Sequence, residues 1–161
     1  MPVPENNMFN DLLPQRFDNT YHGQKFALWL LGFLALSKIV MGLNCIFNGY
    51  YVATAADGIP LANYTSAGAQ AVVSMFAAWG LSVFIFGALS VLILVRYRNM
   101  VPFILALLLT EHLSRKLIFV FLPIAKLEGS KGYLVNLVLL AAMIVGLVLS
   151  LWRSQGNRAE A

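Results

Sequence analysis

Apolar positions along the chain gather into four long blocks, at about 26–47, 69–95, 101–122 and 133–152, separated by shorter polar stretches. Each block is near or above the ~20 residues that an α-helix needs to cross a ~30 Å hydrocarbon core. A segment in lipid must satisfy its own backbone, so each block predicts a helix. The second block is the longest, and tilting or protrusion is expected of it. The stretch 48–68 is rich in Gly, Ala, Tyr and Asn, with Asp57 its one charge. The second connection is only Arg96, Tyr97, Arg98, Asn99 and Met100. Pro102 follows in the first turn of the third helix, where a missing N–H costs least. The predicted fold is all-α: an integral membrane four-helix antiparallel bundle over 26–152.

Residues 1–25 precede the bundle and 153–161 follow it. Met8, Phe9, Leu12, Leu13 and Phe17 stand at roughly helical spacing, interrupted by Pro14. Two readings stay open for them, a short helix lying on the membrane surface and a partly ordered tail. No cleavable signal peptide is expected, because Glu5, Asp11, Asp18 and three prolines occupy the place of a basic start and a short apolar run.

Composition sharpens the class. Hydrophobic residues make up 60% of the chain and charged residues 11%. Soluble domains run nearer to about 45–50% and about 25%. A disordered chain is excluded, and a water-soluble domain fits poorly. The net charge of +4 does not indicate nucleic acid, since the basic residues flank apolar runs instead of forming a patch with interleaved aromatics. Arg16, Lys25, Arg96, Arg98, Arg153 and Arg158 fall on one side of the four predicted spans, and Lys126 and Lys131 on the other. That asymmetry predicts both termini in the cytoplasm, with a cell (inner) membrane as the location. Trp29 and Trp152, and on the other side Tyr50, Tyr51 and Tyr133, stand where interfacial anchors belong. Cys45 is the single cysteine, so neither an intrachain disulfide nor a thiolate metal site is expected.

The remaining charges carry the chemistry. Lys38, Glu111, Arg115 and Lys116 lie inside predicted spans, with His112 beside them. Intramembrane ionisable groups are costly and usually functional. Counting along the helix axis puts Lys38 roughly 18 Å, Glu111 roughly 15 Å and Arg115 roughly 21 Å from the cytoplasmic edge. Trp79 reaches a similar level from the other side. Glu111 and Arg115 are four apart on one helix face, which suits an ion pair, and Lys38 is placed to join them. Cys45 and Met41 share the face of Lys38. Lys116 is expected to snorkel outward. The fourteen Leu, Ile, Val and Phe of the third span favour lipid by roughly 4 to 8 kcal/mol, and its three charges oppose it by roughly 8 to 10 kcal/mol. That helix needs partners and is expected to be the most internal one.

Two roles suit Lys38, Trp79, Glu111, His112 and Arg115. One is a salt-bridge network that fixes packing. The other is a binding site for a lipid-like or anionic ligand or a partner subunit. Glu111 and His112 are the candidates if the chain is an enzyme acting by acid–base chemistry on a lipophilic substrate. A transporter at four helices would have to oligomerise. No cofactor is expected, because His112 is the only intramembrane histidine and bis-His haem ligation within the chain is excluded. No metal is expected either, because neither Glu111 nor His112 has a His partner at i+4. Asn44, Asn48, Gln70 and Asn136 are read as interhelical hydrogen-bonding groups or as a polar outer vestibule. Gly42 with Gly49, and Gly80 with Gly87, each fall on one face and predict close packing of the first two helices. Asn63-Tyr64-Thr65 has the form of a glycosylation acceptor, which is also a common chance match.

The run W-G-L-S-V-F-I-F-G-A-L-S from Trp79, then R-Y-R-N, Pro102 and a helix with an acid and an arginine, together with L-L-G-F-L-A-L-S-K ending at Lys38, resembles the DoxX-like small four-helix bacterial membrane proteins. The resemblance covers about three helices. It implies an inner-membrane bundle, sometimes accessory to redox systems, and carries over no catalytic motif.

Overall fold

The computed structural model describes residues 18–124 and 132–152, together with Leu12. Four long helices dominate: α1 (Lys25–Phe47), α2 (Ser66–Arg96), α3 (Val101–Phe121) and α4 (Gly132–Leu151). No strand occurs among the described residues. The surface-helix reading of Met8, Phe9, Leu13 and Phe17, the connection carrying Lys126 and Lys131, and the tail 153–161 lie outside the described residues.

α2 begins three residues earlier than the apolar pattern suggested, because Thr65 caps it: its hydroxyl accepts the N–H of Gly68 at 3.2 Å. At 31 residues it is ~46 Å long, well beyond the hydrocarbon thickness. α1, α2 and α4 are each long and apolar enough to cross a membrane. Their outer faces display Phe33, Leu36, Ile85, Leu92, Val138 and Ile144, as lipid-facing surfaces do. The chain is a membrane protein. α3 has the length, yet it carries Glu111, Arg115 and Lys116 in one stretch.

The glycine expectation holds. A Cβ on Gly42 would meet the backbone N of Phe84 at 2.6 Å, one on Gly80 the carbonyl of Gly42 at 2.8 Å, and one on Gly87 the backbone N of Ile39 at 2.9 Å. Residue numbers rise on one helix as they fall on the other, so α1 and α2 run antiparallel with their backbones in near contact.

At one end of the molecule the chain before α1 docks on the end of α4. The N–H of Gln24 donates to the carbonyl of Leu149 at 3.1 Å, and Gly23 packs against the Ser150 carbonyl so closely that a side chain could not fit. The start of α4 lies at the other end, where Gly132 packs on the Ala56 carbonyl. Between them Gly146 of α4 faces Leu105 of α3. We call the end with residues 23–24 and 149–150 proximal and the other distal.

The main core fills the proximal half: Leu31, Leu34, Ile93, Val101, Ile104, Leu105, Leu108, Leu139 and Met143 are all buried together. A smaller distal cluster, Ala53, Ile59 and Leu61, belongs to the connection 48–65 and packs on Ala69, Val72, Val73 and Phe76 of α2. That connection continues α1 through a π-helical turn, Val52–Ala56, and reverses at Gly58, whose φ of 72° favours glycine.

One expectation is corrected. α3 is not the most internal helix. α1 holds the middle, packed along both α2 and α4, and α3 lies mainly against α4. Leu113, Leu117, Ile118, Val120 and Phe121 of its distal half are exposed. The charges did not force α3 inward because the long side chain of Lys38 reaches Glu111 from α1.

Candidate functional site

The five singled-out residues come together where the proximal core ends. Lys38 projects from α1, Trp79 from α2, and Glu111, His112 and Arg115 from a five-residue stretch of α3. Lys38 Nζ donates to Glu111 Oε2 at 2.7 Å, and Lys38 is only 3% exposed. A charge-assisted bond of that length offsets the cost of holding the ammonium away from water. The expected Glu111–Arg115 pair is present but long, with Nε to Oε1 at 3.8 Å. Glu111 therefore belongs first to Lys38.

Arg115 has other contacts. Its Nη2 donates to His112 Nδ1 at 3.2 Å. Its guanidinium lies over the Trp79 ring, with Cζ 4.9 Å from the centroid, a cation–π contact of about 0.5–2 kcal/mol. Trp79 is held in turn by Phe76, whose ring meets it edge to face at 5.8 Å and 84°. Phe76 also packs on the distal cluster, so the connection 48–65 is linked mechanically to Arg115.

His112 is 1% exposed and continues the buried stripe of Leu105 and Leu108. A guanidinium has donors only. Nδ1 therefore accepts, and a neutral His112 carries its proton on Nε2. That Nε2 is buried with no hydrogen-bond partner among the described residues. Such an orphan costs about 1–3 kcal/mol.

Several other polar residues of the spans bond within their own segments. The hydroxyls of Ser90, Thr110 and Ser150 donate to the carbonyls of Phe86, Ala106 and Leu147 within their own helices. Asn48 donates to the Asn44 side chain at 2.9 Å and Asn136 to the Gly132 carbonyl at 2.9 Å, while Gln70 is exposed. The interhelical bonds expected of the asparagines are replaced by local ones. Cys45 is buried against Gly80, Met41 edges the core, and Lys116 is exposed.

Sequence reasoning missed Phe76 and the docking of residues 23–24. Phe76 carried a usable signal: it precedes Trp79 by three residues and so shares its face. The docking segment, Gly23-Gln24, carried none.

Chemically, Glu111 is engaged by Lys38, and the Nδ1 lone pair of His112 by Arg115. Two cations, Lys38 and Arg115, share one carboxylate, with exposed Lys116 nearby. α2 has no charged residue before Arg96 and α4 has none. Asp57 stands beside Gly132 at the distal end, and Glu128 lies outside the described residues. Compared with protein-family models, curated proteins and solved structures, the chain matches none.

Proposed function

We propose that this chain is a four-span inner-membrane protein with both termini in the cytoplasm, and that its polar cluster binds a lipophilic acid. The observation that carries the binding role is the charge imbalance: Lys38 and Arg115 against Glu111 alone. An uncompensated cation at mid-depth is costly in a membrane, and an anionic head group would neutralise it. Acid–base catalysis is less well supported, because Glu111 is held in an ion pair by Lys38 through Oε2 and the Nδ1 acceptor of His112 is taken by Arg115.

The four-span reading rests on the ends of α4. The chain entering α1 and the chain leaving α4 meet at the proximal end, which supports an even number of crossings with α3 as one of them. The arginines beside that end, Arg96 and Arg98, favour its cytoplasmic placement. The resemblance to the DoxX-like proteins belongs to the same proposal.

Binding of oleate to the purified protein in nanodiscs of a zwitterionic lipid tests the function. Wild type should bind saturably, and Arg115→Gln should bind at least tenfold more weakly. Equal binding by the two would overturn the proposal, as would an absence of binding by a folded wild type. If the charge is met by a partner subunit instead, oleate will not bind and the protein will co-purify with an acidic membrane partner. For topology, single cysteines at Asp57 and Asn99 in a Cys45→Ser background should label from opposite sides. Labelling from one side would sink the four-span arrangement.

A further inference from the structure

We propose that His112 reads a second, uncharged oxygen on the ligand, which makes that ligand an acyl compound bearing an acidic head, such as an acyl amide or acyl ester. The inference rests on the acid-binding reading and adds the carbonyl to it.

The reasoning starts from the imidazole. Arg115 fixes Nδ1 as an acceptor, so Nε2–H is a donor by elimination. The two ring nitrogens of an imidazole point well apart, so Nε2 cannot share the head group that Arg115 takes. It faces away from Arg115, on the face of α3 that one and two turns earlier presents Leu108 and Leu105. Buried donors are paired in the great majority of cases, and this one has no partner among the described residues. A lone water is a poor occupant beside such a stripe, because a buried water needs two to four polar neighbours. A second anion would be drawn to Arg115 instead. A carbonyl oxygen on an otherwise apolar molecule asks for one donor, which is what His112 offers.

The rim of the cluster meets the lipid, whereas His112 behind it is buried and is reached only when the ligand parts the side chains at that rim. Glu111 and Arg115 are each about one-fifth exposed at the rim, at 20% and 19%. Beyond them Leu117, Ile118 and Phe121 of α3 are exposed, giving an acyl chain an apolar wall to lie along. A head group on Arg115 thus leaves the adjoining carbonyl near the inner side of α3, and the chain runs distally.

The probes are oleate, which has the acid alone, N-oleoylglycine, which adds an amide carbonyl beside the acid, and methyl oleate, which lacks the acid. Binding is measured on the full chain in nanodiscs. Wild type should prefer N-oleoylglycine over oleate by about tenfold, the equivalent of ~1.4 kcal/mol, and bind methyl oleate weakly. His112→Phe fills the space without a donor, and should erase that preference while still binding oleate. His112→Gln restores a donor near the Nε2 position and should recover it. Thermal unfolding without ligand shows whether each variant folds. His112→Phe removes an unpaired buried donor but also the acceptor that Arg115 uses, so its stability should stay near that of wild type as the two effects oppose each other. A direct readout comes from imidazole nitrogen NMR, with His22→Gln leaving one histidine. The Nε2–H signal should appear without ligand and move downfield with N-oleoylglycine, and not with oleate. If oleate and N-oleoylglycine bind alike and the signal does not move, the role of His112 is wrong and the acid site stands. If neither acid binds a folded protein, the acid site and this inference fall together.

Discussion

Helix α1 meets α2 and α3 by opposite means. Against α2 it presents Gly42 and the backbone of Ala35 and Ile39, and the two helices approach until no Cβ fits at Gly42, Gly80 or Gly87. Against α3 it reaches out with Lys38, and a single 2.7 Å ion pair to Glu111 bridges the gap. The first junction is backbone on backbone and gains from dispersion along its whole length. The second is one polar contact set between the proximal core, which Leu31 and Leu34 share with Ile104 and Leu108, and an exposed distal half of α3. A close-packed seam holds two helices in one register. A bridge of long side chains fixes one contact and not a whole register, and the proposed ligand site lies beside it.

The largest expected effect comes from breaking the bridge. Glu111→Gln leaves the ammonium of Lys38, 3% exposed, facing a neutral amide. Removing one partner of a buried pair costs about 3–5 kcal/mol. Adding Lys38→Met should recover much of that loss, because the orphaned charge goes too. Reversible unfolding in mixed micelles of the wild type, both single variants and the double variant gives the coupling directly. A Glu111→Gln protein within ~0.5 kcal/mol of wild type, the size of an ordinary surface substitution, would mean that the pair is not what joins α1 to α3.

The seam should fail differently. In Gly42→Val the new Cβ would stand 2.6 Å from the Phe84 nitrogen and 2.7 Å from the Gly80 carbonyl. Overpacking of this kind costs about 1–3 kcal/mol, and the upper part of that range is expected because the obstacles are backbone atoms. No change of a facing side chain can relieve it. The contrast is therefore testable as rescue: Lys38→Met rescues Glu111→Gln, whereas no partner substitution on α2 rescues Gly42→Val. A rescued Gly42→Val would show that the helices can part without loss.

How far these features were legible in the sequence follows from what each depends on. Lys38, Glu111 and Arg115 could be placed at one level because rise per residue fixes height along a helix. Height says nothing of the direction in which neighbouring helices lie, so α3 was expected at the centre and α1 is found there. Residue type and i,i+4 spacing gave a Glu111–Arg115 pair, yet Glu111 sits closer to Lys38, 73 positions away. The glycine faces were legible because only small residues permit that approach. The tautomer of His112 was not, since it depends on which of its ring nitrogens Arg115 reaches. Nor was the docking of Gly23 and Gln24, which rests on backbone atoms that every sequence carries.

The smallest effect belongs to that proximal docking, away from both junctions, and shows whether the proximal end is as closed as the α1–α2 seam. Tyr21 lies beside it, part-buried against the main core, with its hydroxyl donating to the Gln24 carbonyl at 3.1 Å. Burial pushes its phenol from the ordinary value of 10.0 up to about 12. The folded chain thus keeps the proton where the unfolded chain has lost it. The contribution is intact below pH 10.0 and fades as pH climbs from there to about 12. Tyr21→Phe removes this limb, and below it loses only the bond to Gln24, so the two proteins should differ modestly at pH 9. Above pH 10.0 the wild type should lose stability faster than Tyr21→Phe, the other five tyrosines being common to both. Unfolding midpoints of both proteins between pH 9 and 11.5 measure the difference. Parallel decline would mean that Tyr21 is solvated and that residues 21–24 do not seal the proximal end.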